Sequence, residues 1–553
     1  MMMVSNFTKL LLISCVLIGA AIMVGAQVIQ PVGIQLTPWP EVVGTGPEHS
    51  CLALNPHLFT VSSSINSAIL NVAIQRYQST LFFPFGNGTQ TPSGAWSLVI
   101  TVNSGDTSLT LETDESYSLS VKTTNTITLT ANTIYGAIRG LETLSQTIQW
   151  VQSANTYQIC YLPISIIDAP RFPWRGFLID TGRHYYPADF ILHIIDTLGY
   201  NKFNVLHWHI VDAQSFGVES NTFPNLTMGA FNPVATYSHA EIQEIVAYAQ
   251  SYGIRVVPEF DVPAHADAIG TAFPHLIANC PTYADDINSL LLNIANDYTY
   301  TFLNGLFTEM ASLFPDHYFH TGGDEVHLDC WSEDPTIQAW MKQHKYTTVQ
   351  AEQYFETQVT DMLLQVNKTK LVWNDPWTNG VKLAEGTVIE VWDNSEITQK
   401  IINEGFRALV SFAWYLDEQM PSGVSVGEFE NTWQTFYKAD PYNGIKKNQQ
   451  NILGGEACMW SEQVNQMNFD TRVYPRALAA AERLWSPASI TDINNAQPRF
   501  DQRSCDMKIR GVASSPLQPS FCLLPPNNGM VTKARMGPVH RLTQSEIKAI
   551  LTA

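Results

Sequence analysis

Asp324 and Glu325 stand side by side in the stretch FHTGGDEVH, directly after Gly322 and Gly323. Adjacent carboxylates repel, so three readings compete for the pair: a solvated loop end, part of a metal site, or two catalytic groups with different tasks. The glycines free the backbone to turn and let a ligand approach closely. If one acid faces a pocket while its neighbour turns with the loop, their environments differ. One can then stay protonated as an acid while the other stays charged.

The pair does not stand alone. Short β-rich runs recur along the chain: RGFLIDTGRH, FNVLHWHIVD, IRVVPEFDVP, HYFHTGGDEV, TKLVWND, TVIEVWD, ALVSFAWY and NILGGEACMW. Nearly all end in polar or aromatic residues: Arg183, Asp212, Asp261 with His265, Asp324 with Glu325, Trp373, Trp392, Tyr415 with Asp417, and Trp460 with Glu462. Acids beside aromatic walls suit a sugar, whose apolar ring faces stack while its hydroxyls hydrogen-bond. His207 and His209, two apart on a strand, raise a metal reading. That reading needs further histidines at later strand ends, where Trp373 and Trp392 stand instead, and no Cys or His cluster completes a zinc shell. The two histidines fit hydrogen-bonded interior residues better. Asp212 and His265 fit a pair in which the carboxylate orients an imidazole that reaches a catalytic acid. No Gly-x-Ser-x-Gly elbow offers a serine nucleophile. Glycoside hydrolysis is the chemistry that remains.

These strand ends converge only if the strands surround one axis. Helical patterns separate several of them: DFILHIIDTLGY puts Ile191, Ile194, Ile195 and Leu198 on one face, SHAEIQEIVAYAQSYG opens with Ser238 and Glu241 in capping-box spacing, and YPRALAAAERLWS closes the series. Eight strands alternating with helices predict a (β/α)8 TIM barrel over residues 168–553 with a C-terminal tail, its mouth carrying the site. A doubly wound sheet competes, but no glycine-rich phosphate loop follows any strand. Residues 27–167, with strand-like WSLVITV, YSLSV and TITLTA and helical TIYGAIRGLETLSQTI, predict a small α/β domain before the barrel.

With 553 residues and 45% hydrophobic content the chain can bury a large core, while its net charge of −20 disfavours nucleic-acid and anionic-membrane partners. Residues 1–26 have the pattern of a signal peptide: Lys9, an apolar run, and small residues ending at Ala26. No other stretch is long and apolar enough to span a bilayer, so no membrane span is expected in the mature protein. Of eight cysteines, Cys15 leaves with that segment and at least one of the rest stays unpaired. Sequons at Asn87, Asn225 and Asn367 fit a glycoprotein of the lysosome or extracellular space. Cysteine connectivity is not fixed by spacing, although Cys505 and Cys522 close a short loop and Cys280 and Cys330 flank the acid pair.

The motifs DTGRHYYP, NKFNVLHWHIVD, PEFDVPAH, HTGGDEV, GGEACMWSE and PRALAAAERLWS, in order from about residue 40 to the C-terminus, resemble those of family-20 glycoside hydrolases, and most of all the lysosomal β-N-acetylhexosaminidases. The resemblance implies exo-acting, substrate-assisted retaining hydrolysis of terminal β-linked N-acetylglucosamine or N-acetylgalactosamine without a cofactor or metal. It implies Glu325 as acid and base, Asp324 as orienter of the acetamido group, and Tyr415 as its hydrogen-bond donor. Trp373, Trp392 and Trp460 become pocket walls; Arg183, Glu462 and Asp417 bind hydroxyls; Asp212 and His265 support Glu325. It also implies bridges Cys280–Cys330 and Cys505–Cys522 with Cys458 buried and free, a possible homodimer, and an acidic optimum. Cys51–Cys160 is a separate inference for the small domain.

Some positions depart from the family pattern. Ala213 stands where a second Asp is common, Pro-Ala-His replaces Pro-Gly-His at 263–265, and Ala-Ile-Gly follows where Ser-Trp-Gly is usual. These put fine substrate preference in question. Glu418, after Asp417, adds an acid expected to repel sulfated or sialylated sugars. A catalytically silent N-acetylhexosamine-binding protein on the same fold is the alternative, against which the intact acids, Tyr415 and Arg183 argue.

Overall fold

The computed structural model describes residues 33–88, 94–418, 432–525 and 541–552. The signal-peptide reading of residues 1–26 falls outside them. Eight parallel strands form a closed barrel: β1 Trp174–Asp180, β2 Val205–His209, β3 Arg255–Glu259, β4 Tyr318–His320, β5 Thr369–Trp373, β6 Val388–Val391, β7 Arg407–Val410 and β8 Ile452–Met459. Closure is made by β8 pairing with β1, Gly176 opposite Glu456 and Leu178 opposite Cys458. Each expected run holds one of these strands. The helices between them form where the periodicity places them, at Ala188–Tyr200, His239–Gln250 and Arg476–Trp485. Ser238 and Glu241 make the capping box that starts the second, and Gly253 at φ +69° turns the chain away after it.

Side chains fill the barrel in layers, as the alternation of inward residues requires. Trp174, Val205, Val257, Tyr318, Leu371, Val388, Leu409 and Leu453 make an apolar floor. Above it lies a charged layer of Glu259, Glu390, Glu456, His207 and His320, all at most 1% exposed. Gly176 has no side chain because Glu456 occupies the space a Cβ would need. Leu178, Trp373 and Cys458 lead into the aromatic rim of Trp392, Tyr415 and Trp460.

Ahead of the barrel, a six-stranded sheet runs in the order Val42–Thr45, Ile164–Asp168, Tyr117–Val121, Thr126–Ala131, Trp96–Val102, Phe59–Ser63. Helix Ile134–Ser145 is buried along its whole length between this sheet and the barrel. Buried ion pairs hold the two parts together. Glu115 joins Arg139 at 2.7 Å to Arg175 of β1 at 2.6 Å, and Asp168 meets Lys202 at 2.8 Å. Such pairs orient partners well, and removing one member is costly because it strands a buried charge.

The cysteines pair as Cys51–Cys160, Cys280–Cys330 and Cys505–Cys522, and Cys458 is free and buried. Asn87, Asn225 and Asn367 are all exposed.

Candidate active site

Strand β4 is only three residues long, because the backbone turns out of it at Gly322 and Gly323, with φ +65° and +92°. A Cβ on Gly322 would overlap the carboxylate of Asp261. The turn separates the adjacent acids: the Asp324 side chain is 16% exposed and that of Glu325 48%. Glu325 sits at φ +52°, a strained region for a side-chain-bearing residue that is typical of functional sites.

Each neighbouring strand end is held by a specific contact. Asp180, ending β1, accepts from the backbone N–H groups of Gly182 and Arg183 at 3.0 Å and from that of Ser461 beyond β8 at 3.0 Å. Arg183 thereby reaches Asp212 at 2.9 Å and lies 5.1 Å over the Trp460 ring. Just after β7, Leu416 N donates to Cys458 O of β8 at 2.8 Å, which sets Tyr415 beside Cys458 in the pocket lining. Trp373 Nε1 donates to Glu259 at 2.8 Å and Trp392 Nε1 to Asp375 at 2.8 Å, which fixes both indoles in the cavity wall.

The resulting pocket, of about 290 Å³, is lined by Arg183, His265, Asn288, Asp324, Glu325, Trp373, Trp392, Tyr415, Asp417, Glu418, Trp460 and Glu462. Every binding and catalytic candidate read from the sequence is therefore brought together there, except Asp212. That residue lies behind the wall, 3.1 Å from Nδ1 of His265. The far nitrogen of His265 is 3.4 Å from Glu325 and 3.7 Å from Asp324. Ala213 and Ala264, the departures beside this dyad, are buried and do not line the pocket.

The electrostatics correct one expectation. The hydrogen bond from His265 holds the Glu325 carboxyl below its usual range in the open site, where the sequence reading has one of the adjacent acids raised. Burial opposes charge on His265, but Asp212, Asp261 and Asp324 outweigh it and keep the imidazole protonated well above its ordinary range. The raised acids are two others. Burial and then the charge of Asp324 push Asp261 well up. Burial and then Asp324 push Asp375 to about 7. Asp375 also accepts from the Glu325 N–H at 3.3 Å. Burial raises Asp417 to about 6, and Glu462 and Glu418 add to it. Asp324 Oδ1 and Asp417 Oδ1 are buried acceptors with no hydrogen-bond partner among the described residues, and both belong to pocket residues. Buried polar atoms of this kind call for a donor from a ligand.

Asp375 and Asn288 are site residues absent from the sequence-based set, and Asp261 stands there only as a strand end with no role assigned. Asp375 follows Trp373 by two and Asp261 ends its own run, so the pattern of polar strand ends reaches both. Asn288 lies in a long loop with no such signal. Below the pocket, the charged groups of the barrel interior approach within 4.8 Å of one another. Carboxylates meet His207 and His209 at hydrogen-bond distance, as at His209–Glu259, 2.6 Å, so shared protons account for their arrangement.

A closed parallel barrel whose strand ends gather acids and tryptophans is the build of a carbohydrate-cleaving enzyme. The chain belongs to glycosyl hydrolase family 20: residues 172–488 match its catalytic domain, and residues 36–147 match a domain described as beta-acetyl hexosaminidase like. It is 48% identical over 545 residues to beta-hexosaminidase subunit A1 of Dictyostelium discoideum, covering 98% of this chain and 99% of the relative. It is 37% identical over 513 residues to beta-hexosaminidase subunit beta of Homo sapiens, covering 89% and 90%. Among solved structures, a chitobiase of Flavobacterium johnsoniae superposes with a TM-score of 0.75 at 31% identity, over 87% of this chain and 73% of that one.

Proposed function

We propose that the protein is an exo-acting β-N-acetylhexosaminidase that removes terminal non-reducing β-linked N-acetylglucosamine or N-acetylgalactosamine from glycans with retention of configuration. The observation that carries the reading is the division of labour at the end of β4. Glu325 opens toward solvent, where a leaving group would lie, while Asp324 presents to the pocket a buried Oδ1 that has no partner among the described residues. A pocket of about 290 Å³ suits one terminal sugar.

The reaction follows from these positions. Asp324 Oδ1 accepts the N–H of the substrate's acetamido group, and Tyr415 donates to its carbonyl oxygen. That oxygen attacks the anomeric carbon as the glycosidic bond breaks, and Glu325 passes its proton to the departing oxygen. A cyclic oxazolinium forms, whose positive charge Asp324 offsets. Glu325, now a carboxylate, takes a proton from water as that water opens the ring. His265 and Asp212 hold Glu325 in place. Arg183, Asp417 and Glu462 bind hydroxyls, and Trp373, Trp392 and Trp460 enclose the ring. Glu325 must gain a proton before the first step. The sugar removes water around it, which raises its proton affinity, and an acidic compartment assists.

Residues 27–167 serve as a buttress and 168–553 as the catalytic unit. A lysosomal or secreted glycoprotein, carrying sugars at Asn87, Asn225 and Asn367 and pairing as a homodimer, fits the exposed sequons and the three disulfides. The test is release of a chromogenic phenol from its β-N-acetylglucosaminide compared with the matching β-glucoside, which lacks the acetamido nucleophile. Turnover of the first alone supports substrate assistance. Binding of N-acetylglucosamine without turnover would return the silent sugar-binding alternative, and equal turnover of both would remove the acetamido group from the mechanism.

A further inference from the structure

The contacts behind His265 continue past Asp212. Asp212 Oδ2 is 2.6 Å from His209 Nε2, and His209 Nδ1 is 2.6 Å from Glu259 Oε2. The same Glu259 oxygen lies 3.0 Å from His207 Nε2, and His207 Nδ1 is 2.9 Å from Glu456. Carboxylate and imidazole thus alternate from the charged layer of the barrel up to Glu325, with hydrogen bonds joining Glu259, His209, Asp212 and His265 and an approach of 3.4 Å from His265 to Glu325; the links up to His265 are all buried. Both ring nitrogens of His209 meet carboxylate oxygens. A neutral imidazole has one N–H, so against two ionised carboxylates it would set a lone pair toward one of those oxygens, and the imidazolium is the form that donates to both. Burial disfavours that charge, but Glu259 and Asp212 outweigh it and raise His209 to about 10. Glu259 has a second task, since its other oxygen accepts from Trp373 Nε1 in the pocket wall.

We propose that His209, anchored by Glu259, is a positioning residue for the acid/base pair: as an imidazolium it occupies one oxygen of Asp212, leaving the other to His265, and so governs how firmly His265 keeps the proton it shares with Glu325. The proposal rests on Glu325 being the acid and base. The charged groups facing His209 are Asp212, Glu259 and Asp261, with the Trp460 ring edge-on at 5.0 Å. Those facing His265 are Asp212, Asp261, Asp324, Glu325 and Arg183. Arg183 and His209 both draw on the charge of Asp212. Without the His209 cation, Asp212 acts more strongly on His265. The imidazole then yields its proton to Glu325 less readily, and the pair loses its last proton at higher pH.

The test compares wild type, His209→Gln and Glu325→Gln across pH on an unactivated N-acetylglucosaminide. Glutamine at 209 keeps a hydrogen-bond donor but no charge. The expected result is a kcat lower by roughly tenfold or more, KM within about twofold, and an alkaline limb of kcat/KM displaced upward by about half a pH unit or more. A folded His209→Gln enzyme whose limb superposes on wild type would overturn the proposal. If that variant does not fold, the wild-type protein labelled with 15N-histidine decides. An imidazolium signature for His209 at pH 7 supports the proposal, and a neutral signature there overturns it. Wild-type turnover by Glu325→Gln would instead remove the acid/base reading on which the proposal depends.

Discussion

His265 Nε2 lies 3.4 Å from Glu325 Oε2, while the other ring nitrogen of His265 is held by Asp212 at 3.1 Å. The imidazole is 1% exposed and the carboxylate 48%. A buried cation therefore fixes one side of an acid whose other side faces the space where an aglycone would sit. That arrangement orients Glu325 and, in the open site, lowers its proton affinity. Protonation of Glu325 is thus tied to occupancy of the pocket.

Replacing Glu325 by Gln keeps shape and removes the proton. The expected outcome is a fall in kcat of roughly 10²–10⁴ on unactivated glycosides, with a much smaller fall on a nitrophenyl glycoside in the first step, because a good leaving group needs little protonation. Measuring both substrates checks it. An equal loss on both would point to misplacement of the sugar and not to acid catalysis.

Asp324→Asn places an amide where the acetamido N–H needs an acceptor and a developing positive charge needs a counter-charge. Its effect should fall mainly on kcat, by roughly 10²–10³. Affinity for N-acetylglucosamine, measured by calorimetry, should change far less. A change confined to affinity would contradict the orienting role.

Much of this site could be read from residue types at strand ends. Arg183, Trp373, Trp392, Tyr415, Trp460 and the acid pair share one geometric rule, in which strands closing a barrel deliver their C-terminal ends to one mouth. The rule carries no information on protonation. Glu325 and Asp324 differ in exposure, 48% against 16%, but the raised acids are others, and their identity depends on through-space neighbours such as Asp324 beside Asp375 and Asp261. The charged layer of Glu259, Glu390 and Glu456 was likewise hidden, because an acid inside an apolar run reads the same whether it faces a helix or the barrel axis. Asn288 was out of reach for a simpler reason: loop placement follows tertiary contacts, here its carbonyl accepting from the His265 N–H at 3.0 Å.

Glu418 is exposed and lines the pocket beside Asp417 and near Glu462. An anionic substituent on the sugar would meet this group of acids. Glu418→Lys should raise kcat/KM for a 6-sulfated N-acetylglucosaminide relative to the neutral one by at least about fivefold, more at low salt than at high. An unchanged ratio would place the rejection of anions elsewhere.

The Cys280–Cys330 bridge ties the loop after β3 to helix Leu328–Glu333, which follows the acid pair. That loop carries Asn288, whose side chain accepts from Gln214 at 2.8 Å and which lines the pocket. Removing this bridge as a Cys280→Ala/Cys330→Ala variant should cost about 2–5 kcal/mol of stability and also lower kcat/KM. The Cys505→Ala/Cys522→Ala variant, remote from the pocket lining, should lower stability with kcat/KM retained. Equal activity losses in the two variants would show that the first bridge has no special link to the site.

Stability against pH follows from signs that can be worked out group by group. Burial is the main cause that raises Asp375 to about 7, Asp417 to about 6 and Glu352 to about 8. A carboxyl raised in the folded state favours folding when protonated. Its contribution is fully present below the unfolded value of about 4 and is lost as pH rises through the folded value. His209, raised to about 10, has the same sign: its contribution is present below about 6.5 and is lost toward its folded value. Asp212 and Glu259 act oppositely. Their charged neighbours hold them low, so their contributions are present above about 4 and vanish as pH falls through their folded values. Both sets favour the native state together at about pH 5, where the melting temperature should be highest, with a decline toward pH 8. Asp375→Asn removes one group from the first set, so its melting temperature should fall less than that of wild type between pH 5 and pH 8. Thermal melts of both proteins in matched buffers give the comparison. A wild-type maximum at pH 8, or parallel curves for the two proteins, would contradict the assignment of a raised Asp375.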